Sequence, residues 1–187
     1  MRLPLILAAL AASMSHAGFA QAPTETSPDR SEPAVSFEPY VGVMGGYHNF
    51  DRRSEFGTNG NRGKMDGALI EGVAGVNVPF GPIFVGAEGN AAKGFKDIDW
   101  EYGVRGRVGA RAGQSGMIYA SAGYQWVNGR RGFADHNDWM YGLGVEVGPS
   151  DIGLGGVLGE AGPRLRFHAD TYDFDSIRPM AGLILAF

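Results

Sequence analysis

Any chemistry in this chain has to come from histidine, carboxylate, hydroxyl and guanidinium groups, because it holds no cysteine and so no thiolate. Hydrolysis by a Ser–His–acid arrangement needs a nucleophile beside an oriented base. Among the four histidines, His168 is the best placed. In Arg166-Phe167-His168-Ala169-Asp170 it stands two residues from Asp170, and on an extended chain such residues share a face. No Ser or Thr shares that face nearby, so the spacing predicts charge pairing and no catalytic residue. His48 with Asp51, and His136 with Asp135 and Asp138, pair imidazole with carboxylate, the ligand types of weak metal sites. Their spacing matches no defined metal site, and they read as solvated loop residues. His16 belongs to the N-terminal segment treated below. Gly153-Leu154-Gly155-Gly156 lacks the Gly-Lys-Ser/Thr of a phosphate loop. No metal or cofactor is implied.

The remaining chemistry is ionic. Glu71, Glu88, Glu101, Glu146 and Asp170 can be set against Arg105, Arg107, Arg111, Arg166 and Arg178. What could bring them together is strand periodicity. Eight segments have strand character, roughly 37–48, 66–78, 82–92, 100–111, 117–128, 139–148, 163–173 and 177–187, each near the length a tilted strand needs to cross a bilayer. Side chains alternate between faces along a strand. Ile177, Pro179, Ala181, Leu183, Leu185 and Phe187 make one face apolar; so do Trp139, Tyr141, Leu143, Val145 and Val147. Tyr102, Val104, Val108 and Ala110 oppose Glu101, Arg105, Arg107 and Arg111, and Ala68, Ile70, Ala74, Val76 and Val78 oppose Glu71 and Asn77. Ile118, Ala120, Ala122, Tyr124 and Trp126 lie together, as do Ile83, Val85 and Ala87, opposite Glu88. The ten charged residues fall on the polar faces.

Alternation does not name the solvent on each face. A soluble binding barrel would turn its apolar face inward. In a membrane barrel the lipid is outside and the polar residues within. Magnitude favours the second arrangement. An Arg at the bilayer midplane costs about 2 to 4 kcal/mol, whereas turned inward it can make bidentate bonds to Glu. Eight strands enclose a space just wide enough for side chains to fill. The expectation is an all-β, eight-stranded antiparallel up-and-down transmembrane β-barrel over residues 37–187, its lumen plugged by five acids and five guanidinium groups.

The rest of the chain agrees. Residues 1–20 read as a cleaved export signal: Arg2, then the apolar Leu3–Ala12, then the small residues Gly18 and Ala20. That run is too short for a spanning helix, which needs about 20 residues. Residues 21–36 carry Pro23, Pro28 and Pro33 among Ser, Thr and Glu, and are expected to form a disordered periplasmic leader. The formal net charge of −4 argues against nucleic acid as a partner. Glycine, at 31 of 187 residues, falls inside the strand segments, as tight curvature requires. Long polar connectors alternate with tight turns, as extracellular loops and periplasmic turns do. The last two connectors, 149–162 and 174–176, reverse that order. Tyr47, Phe80, Trp100, Trp126, Trp139 and Phe174 stand near strand ends, where aromatic girdles are expected.

The opening strand Pro39-Tyr40-Val41-Gly42-Val43-Met44-Gly45-Gly46-Tyr47 and the closing Met180-Ala181-Gly182-Leu183-Ile184-Leu185-Ala186-Phe187 resemble small outer-membrane barrels of the opacity and OmpA-transmembrane-domain type. The resemblance implies that both chain ends are periplasmic. It also implies that Leu183, Leu185 and Phe187 form the signal read by the barrel-assembly machinery. No peptidoglycan-binding domain follows, so a wall-anchoring role does not carry over. Outer-membrane lipids and lipopolysaccharide are the expected surroundings. The basic pairs Arg52–Arg53 and Arg130–Arg131 then lie in extracellular loops, near lipopolysaccharide phosphates, and no loop ligand is named by the sequence. The leading expectation is a structural or surface-exposed outer-membrane protein, not an enzyme. The other readings are a porin-like small-solute channel, a lipid A-modifying enzyme and a soluble periplasmic binding barrel.

Overall fold

A computed structural model describes residues 36–50, 65–113, 115–153, 163–172, 174 and 176–187. The proposed signal, nearly all of the leader, and Asp51, Arg52 and Arg53 lie outside the described residues. Eight strands follow in order: β1 (Glu38–Phe50), β2 (Asp66–Phe80), β3 (Ile83–Gly94), β4 (Ile98–Ala112), β5 (Gly116–Gly129), β6 (His136–Val147), β7 (Arg164–Tyr172) and β8 (Ser176–Ala186). Each pairs antiparallel with its neighbours in sequence, and β1 pairs with β8, closing the barrel. The expected up-and-down topology is the observed one.

One end of the barrel carries the β1 start, the β8 end and three connectors: Gly81–Pro82, 113–115 and 148–163. We call it the turn end. The other, the loop end, carries 51–64, 95–97, 130–135 and 173–175. Gly81 takes φ 66°, the left-handed conformation a tight turn demands of its glycine. The long connector after β6 begins with a 3-10 turn, Pro149–Ile152. Its Asp151 carboxylate accepts from Ser115 Oγ at 2.9 Å, from Ser115 N at 3.2 Å and from Gly148 N at 3.3 Å. The start of this connector therefore clasps the neighbouring β4–β5 turn.

Register sets which side chains meet which surroundings. Along β4, Trp100, Tyr102, Val104, Gly106 and Val108 face out, while Glu101, Gly103, Arg105 and Arg107 face in. The same alternation holds on β8, where Ile177, Pro179, Ala181, Leu183 and Leu185 are exposed between buried Arg178, Met180 and Ile184. At Gly144 an inward Cβ would run into the Tyr119 ring, so glycine there makes room for an aromatic side chain inside a narrow barrel. Apolar side chains close both ends of the interior: Phe84 and Met117 towards the turn end, and Phe50, Met65, Ile98, Val127 and Phe133 towards the loop end.

Candidate functional site

The interior holds one connected ionic cluster. Glu71, Glu88, Glu101, Glu146, Asp170, Arg105, Arg107, Arg166 and Arg178 are all drawn from inward strand positions, and none is more than 5% exposed. Nearest the turn end, Arg107 lies over the Tyr119 ring at 3.8 Å and donates to Glu146 at 2.7 Å and to the Tyr40 hydroxyl at 2.5 Å. The Tyr40 hydroxyl in turn donates to Glu88 at 2.7 Å. Arg166 grips Glu146 through Nε and Nη2, at 3.1 and 2.8 Å, and reaches Glu88 with Nη1. In the middle, Arg105 faces Glu88 at 2.8 Å, Asp170 at 3.1 Å and Glu71 at 3.5 Å. Towards the loop end, Arg178 donates to Glu101 at 2.9 Å and Asp170 at 3.1 Å, and also to Glu71. Shared carboxylates thus link four guanidinium groups in a chain along the barrel axis. Such a chain survives burial only because each charge has partners, since an unpaired ion in a low-dielectric interior costs several kcal/mol.

Two expectations need correction. Arg111 faces inward by parity, but it lies at the end of β4, 38% exposed, and pairs with Glu38 at the rim. The fifth interior guanidinium is Arg164 instead, 3.7 Å from Glu146. It stands two residues before Arg166, so strand alternation could have found it. His48, read from sequence as a solvated loop residue, is fully buried. Strand β1 runs two residues past the expected end, which places His48 inside, with Nδ1 2.6 Å from Glu101 and Nε2 3.2 Å from Ser176 Oγ. Tyr40 and Tyr119 had no sequence signal beyond parity, because a tyrosine suits either face. His136 opens β6, with Nε2 3.8 Å from Asp138.

His168 joins the cluster. Its Nδ1 meets the Tyr119 hydroxyl at 2.9 Å, and its Nε2 meets Asp170 and, at 3.0 Å, Arg105. Both ring nitrogens are engaged by members of the same buried network, Tyr119 on one side and Asp170 with Arg105 on the other. Among the described residues no group of three or more His, Cys, Asp or Glu could hold a metal.

The outer face is the opposite in character. Val43, Ile70, Val104, Val108, Ile118, Leu143, Phe167 and Leu183 are each at least half exposed. Aromatics gather near the loop end of β4 to β7. Tyr102 stacks on Trp126 at 5.7 Å, Tyr124 meets Trp126 and Trp139 edge-on, and Phe174 stacks on Tyr141 at 5.3 Å. Apolar side chains face out around a closed eight-stranded sheet, and ions face in. The fold is a closed eight-stranded antiparallel barrel, apolar outside and ionic within.

No family model and no curated protein matches the chain. The solved structures it is similar to include the following three. A de novo designed transmembrane β-barrel is 11% identical, with 81% of this chain and 95% of that one covered and a TM-score of 0.46. Neisserial surface protein A is 14% identical, with 80% and 97% covered and a TM-score of 0.45. Ail, the attachment invasion locus protein of Yersinia pestis, is 14% identical, with 79% and 98% covered and a TM-score of 0.41.

Proposed function

We propose that this chain is an outer-membrane barrel closed by its own ion pairs, a structural or surface protein of the envelope and not a pore or an enzyme. The observation that carries the reading is the axial cluster of Arg107, Arg166, Arg105 and Arg178 with their five carboxylates, buried inside a barrel whose exterior is apolar. An ion crossing the lumen would have to separate pairs that are held from several strands at once. Export through the segment 1–20, insertion guided by Leu183, Leu185 and Phe187, and lipopolysaccharide contact at the loop end belong to the same reading.

One observation favours a small-solute channel as the second reading. The side-chain amide of Gln125, fully buried, has neither oxygen nor nitrogen hydrogen-bonded, and Asn90 Oδ1 also lacks a partner. Buried polar atoms of that kind are commonly satisfied by ordered water, and water in the lumen is what a conducting path would start from.

Single-channel recording in planar bilayers separates the two. The expected outcome is no unitary steps for the native chain. Stable, reproducible conductance steps would overturn the closed-barrel reading. Heat-modifiability of membrane fractions on a gel tests the barrel itself, since a closed barrel resists detergent until boiled. An unshifted band in the soluble periplasm would reject the membrane reading altogether.

A further inference from the structure

The outward face of β3 is unlike the rest of the wall. Below Lys93 it runs Ala91, Gly89, Ala87, with nothing larger than a methyl group, and its neighbours across the ladder on β2 are Gly72, Ala74 and, opposite Ala87, Val76. Cross-strand partners on β4 are Trp100, Tyr102, Val104 and Gly106, with Trp126 standing beside Tyr102. The result is an apolar trough, floored by β2 and β3 and walled by Tyr102, Val104 and Trp126. A Cβ added at Gly72 or Gly89 would meet only a carbonyl oxygen, at 4.0 and 3.9 Å, so the space above both is open.

Cations stand at the head of the trough. Lys93 lies 4.6 Å over the Trp100 ring and 2.5 Å from Asp99, and Arg130 reaches the same carboxylate at 2.6 Å. Lys93 and Arg130 remain 35% and 43% exposed, and one carboxylate cannot neutralise both. Lys96, 53% exposed and paired with Asp66, and the exposed Arg131 flank them. Among the described residues the loop-end rim of β7, β8 and β1 carries no Lys or Arg facing outward. Length supplies a second argument. From Lys93 to Ala87 the strand advances about 20 Å. Tilted by about 40° it descends some 15 Å, half of the roughly 30 Å hydrocarbon core and so the depth of one leaflet.

We propose that this trough seats one molecule of lipid A, with a phosphate between Lys93 and Arg130 and an acyl chain along Ala91, Gly89 and Ala87. The proposal rests on the outer-membrane reading, which puts the loop end in the leaflet made of phosphorylated glycolipid. Aromatic side chains at the interface and cations against anionic head groups are the usual means of holding a lipid there.

The chain's three tryptophans are Trp100, Trp126 and Trp139, all on the β4–β6 side, so their fluorescence reports on this wall directly. The test refolds the full chain in uncharged detergent, confirms the barrel by its gel shift, and titrates in bis-phosphorylated lipid A. The expected result is saturable quenching. The double variant Lys93→Gln with Arg130→Gln should bind roughly thirtyfold more weakly, given about 1 kcal/mol per cation at an anionic surface. Gly89→Leu, whose Cβ enters open space on the trough floor, should remove saturation while keeping the gel shift. Quenching of equal strength by dephosphorylated lipid A or phosphatidylglycerol would overturn the proposal. So would either variant binding as the native chain does. Loss of the gel shift in the native chain would instead reject the barrel reading on which the proposal rests.

Discussion

The barrel has two very different seams. Between β4 and β5 the register runs from Ile98↔Gly129 to Ala112↔Gly116, with one irregularity near Ile98. Between β8 and β1, where the chain closes on itself, one register holds throughout, but the pairing runs to Gly46↔Met180 and is taken up again only at Asn49↔Ile177. The break coincides with Pro179, which has no N–H to give and leaves the Tyr47 carbonyl without its ladder donor. In a bilayer such a loss has no water to repair it. The closing seam is instead spanned from inside. His48 on β1 touches Ser176 on β8, and Arg178, next to the proline, reaches Glu71 on β2, Glu101 on β4 and Asp170 on β7. Where the ladder is interrupted, side-chain contacts cross and flank the seam from inside.

If that is so, Arg178 is the residue whose loss should cost most. Arg178→Ala takes one guanidinium partner from each of Glu71, Glu101 and Asp170, and breaking a buried pair by removing one partner typically costs about 3 to 5 kcal/mol. Urea unfolding of the refolded barrel in vesicles, followed by tryptophan fluorescence, should show a large fall in midpoint or no folded fraction. A midpoint within error of the native chain would show that the interior pairs do not hold the closing seam.

Next in size is the outer surface of the same strand. Leu183→Arg places a cation towards lipid, at about 2 to 4 kcal/mol near the midplane. Arg105→Lys keeps an interior charge and should assemble far better. Equal yields of heat-modifiable protein from the two would undo the assignment of faces.

These two tests bear on what the sequence could tell. Strand number, order and faces were legible because lipid-facing and interior positions alternate strictly, and Leu183, Val104 and Leu143 advertise one solvent while Glu88 and Arg105 advertise another. Partnership was not legible. Arg105 and Asp170 are far apart in the chain, and only the barrel's circumference decides that they meet. Strand ends were the weakest part: two residues more on β1 turn His48 from a loop residue into a buried one, while Arg111 sits one step too near the rim to be enclosed. Pro179 was read correctly as facing outward. Its effect on the seam depends on which partner strand its missing N–H would have served, and parity is silent on that.

Pro179→Ala sharpens the comparison in the other direction. Restoring an N–H opposite Tyr47 should complete the ladder and raise stability by about 1 kcal/mol, the usual net worth of one hydrogen bond. A higher unfolding midpoint, with slower amide exchange at the neighbouring positions of β1 and β8, is the expected outcome. An unchanged or lower midpoint would mean that the seam tolerates the break without cost.

The smallest effect is the most diagnostic. Ser176 Oγ stands 3.2 Å from His48 Nε2 and accepts the Tyr172 N–H at 3.1 Å, so it ties β1 to the β7–β8 corner beside the gap. Ser176→Ala should cost about 1 kcal/mol. If Ser176 substitutes for the missing backbone bond, the loss should shrink once Pro179→Ala has restored that bond, since neighbouring sites that share one task are not additive. Midpoints from the native chain, the two single variants and the double variant close the cycle. A coupling of about 0.5 kcal/mol or more in that sense would show that the hydroxyl and the ladder do the same work. Strict additivity would show that the serine serves only the corner of β7 and β8.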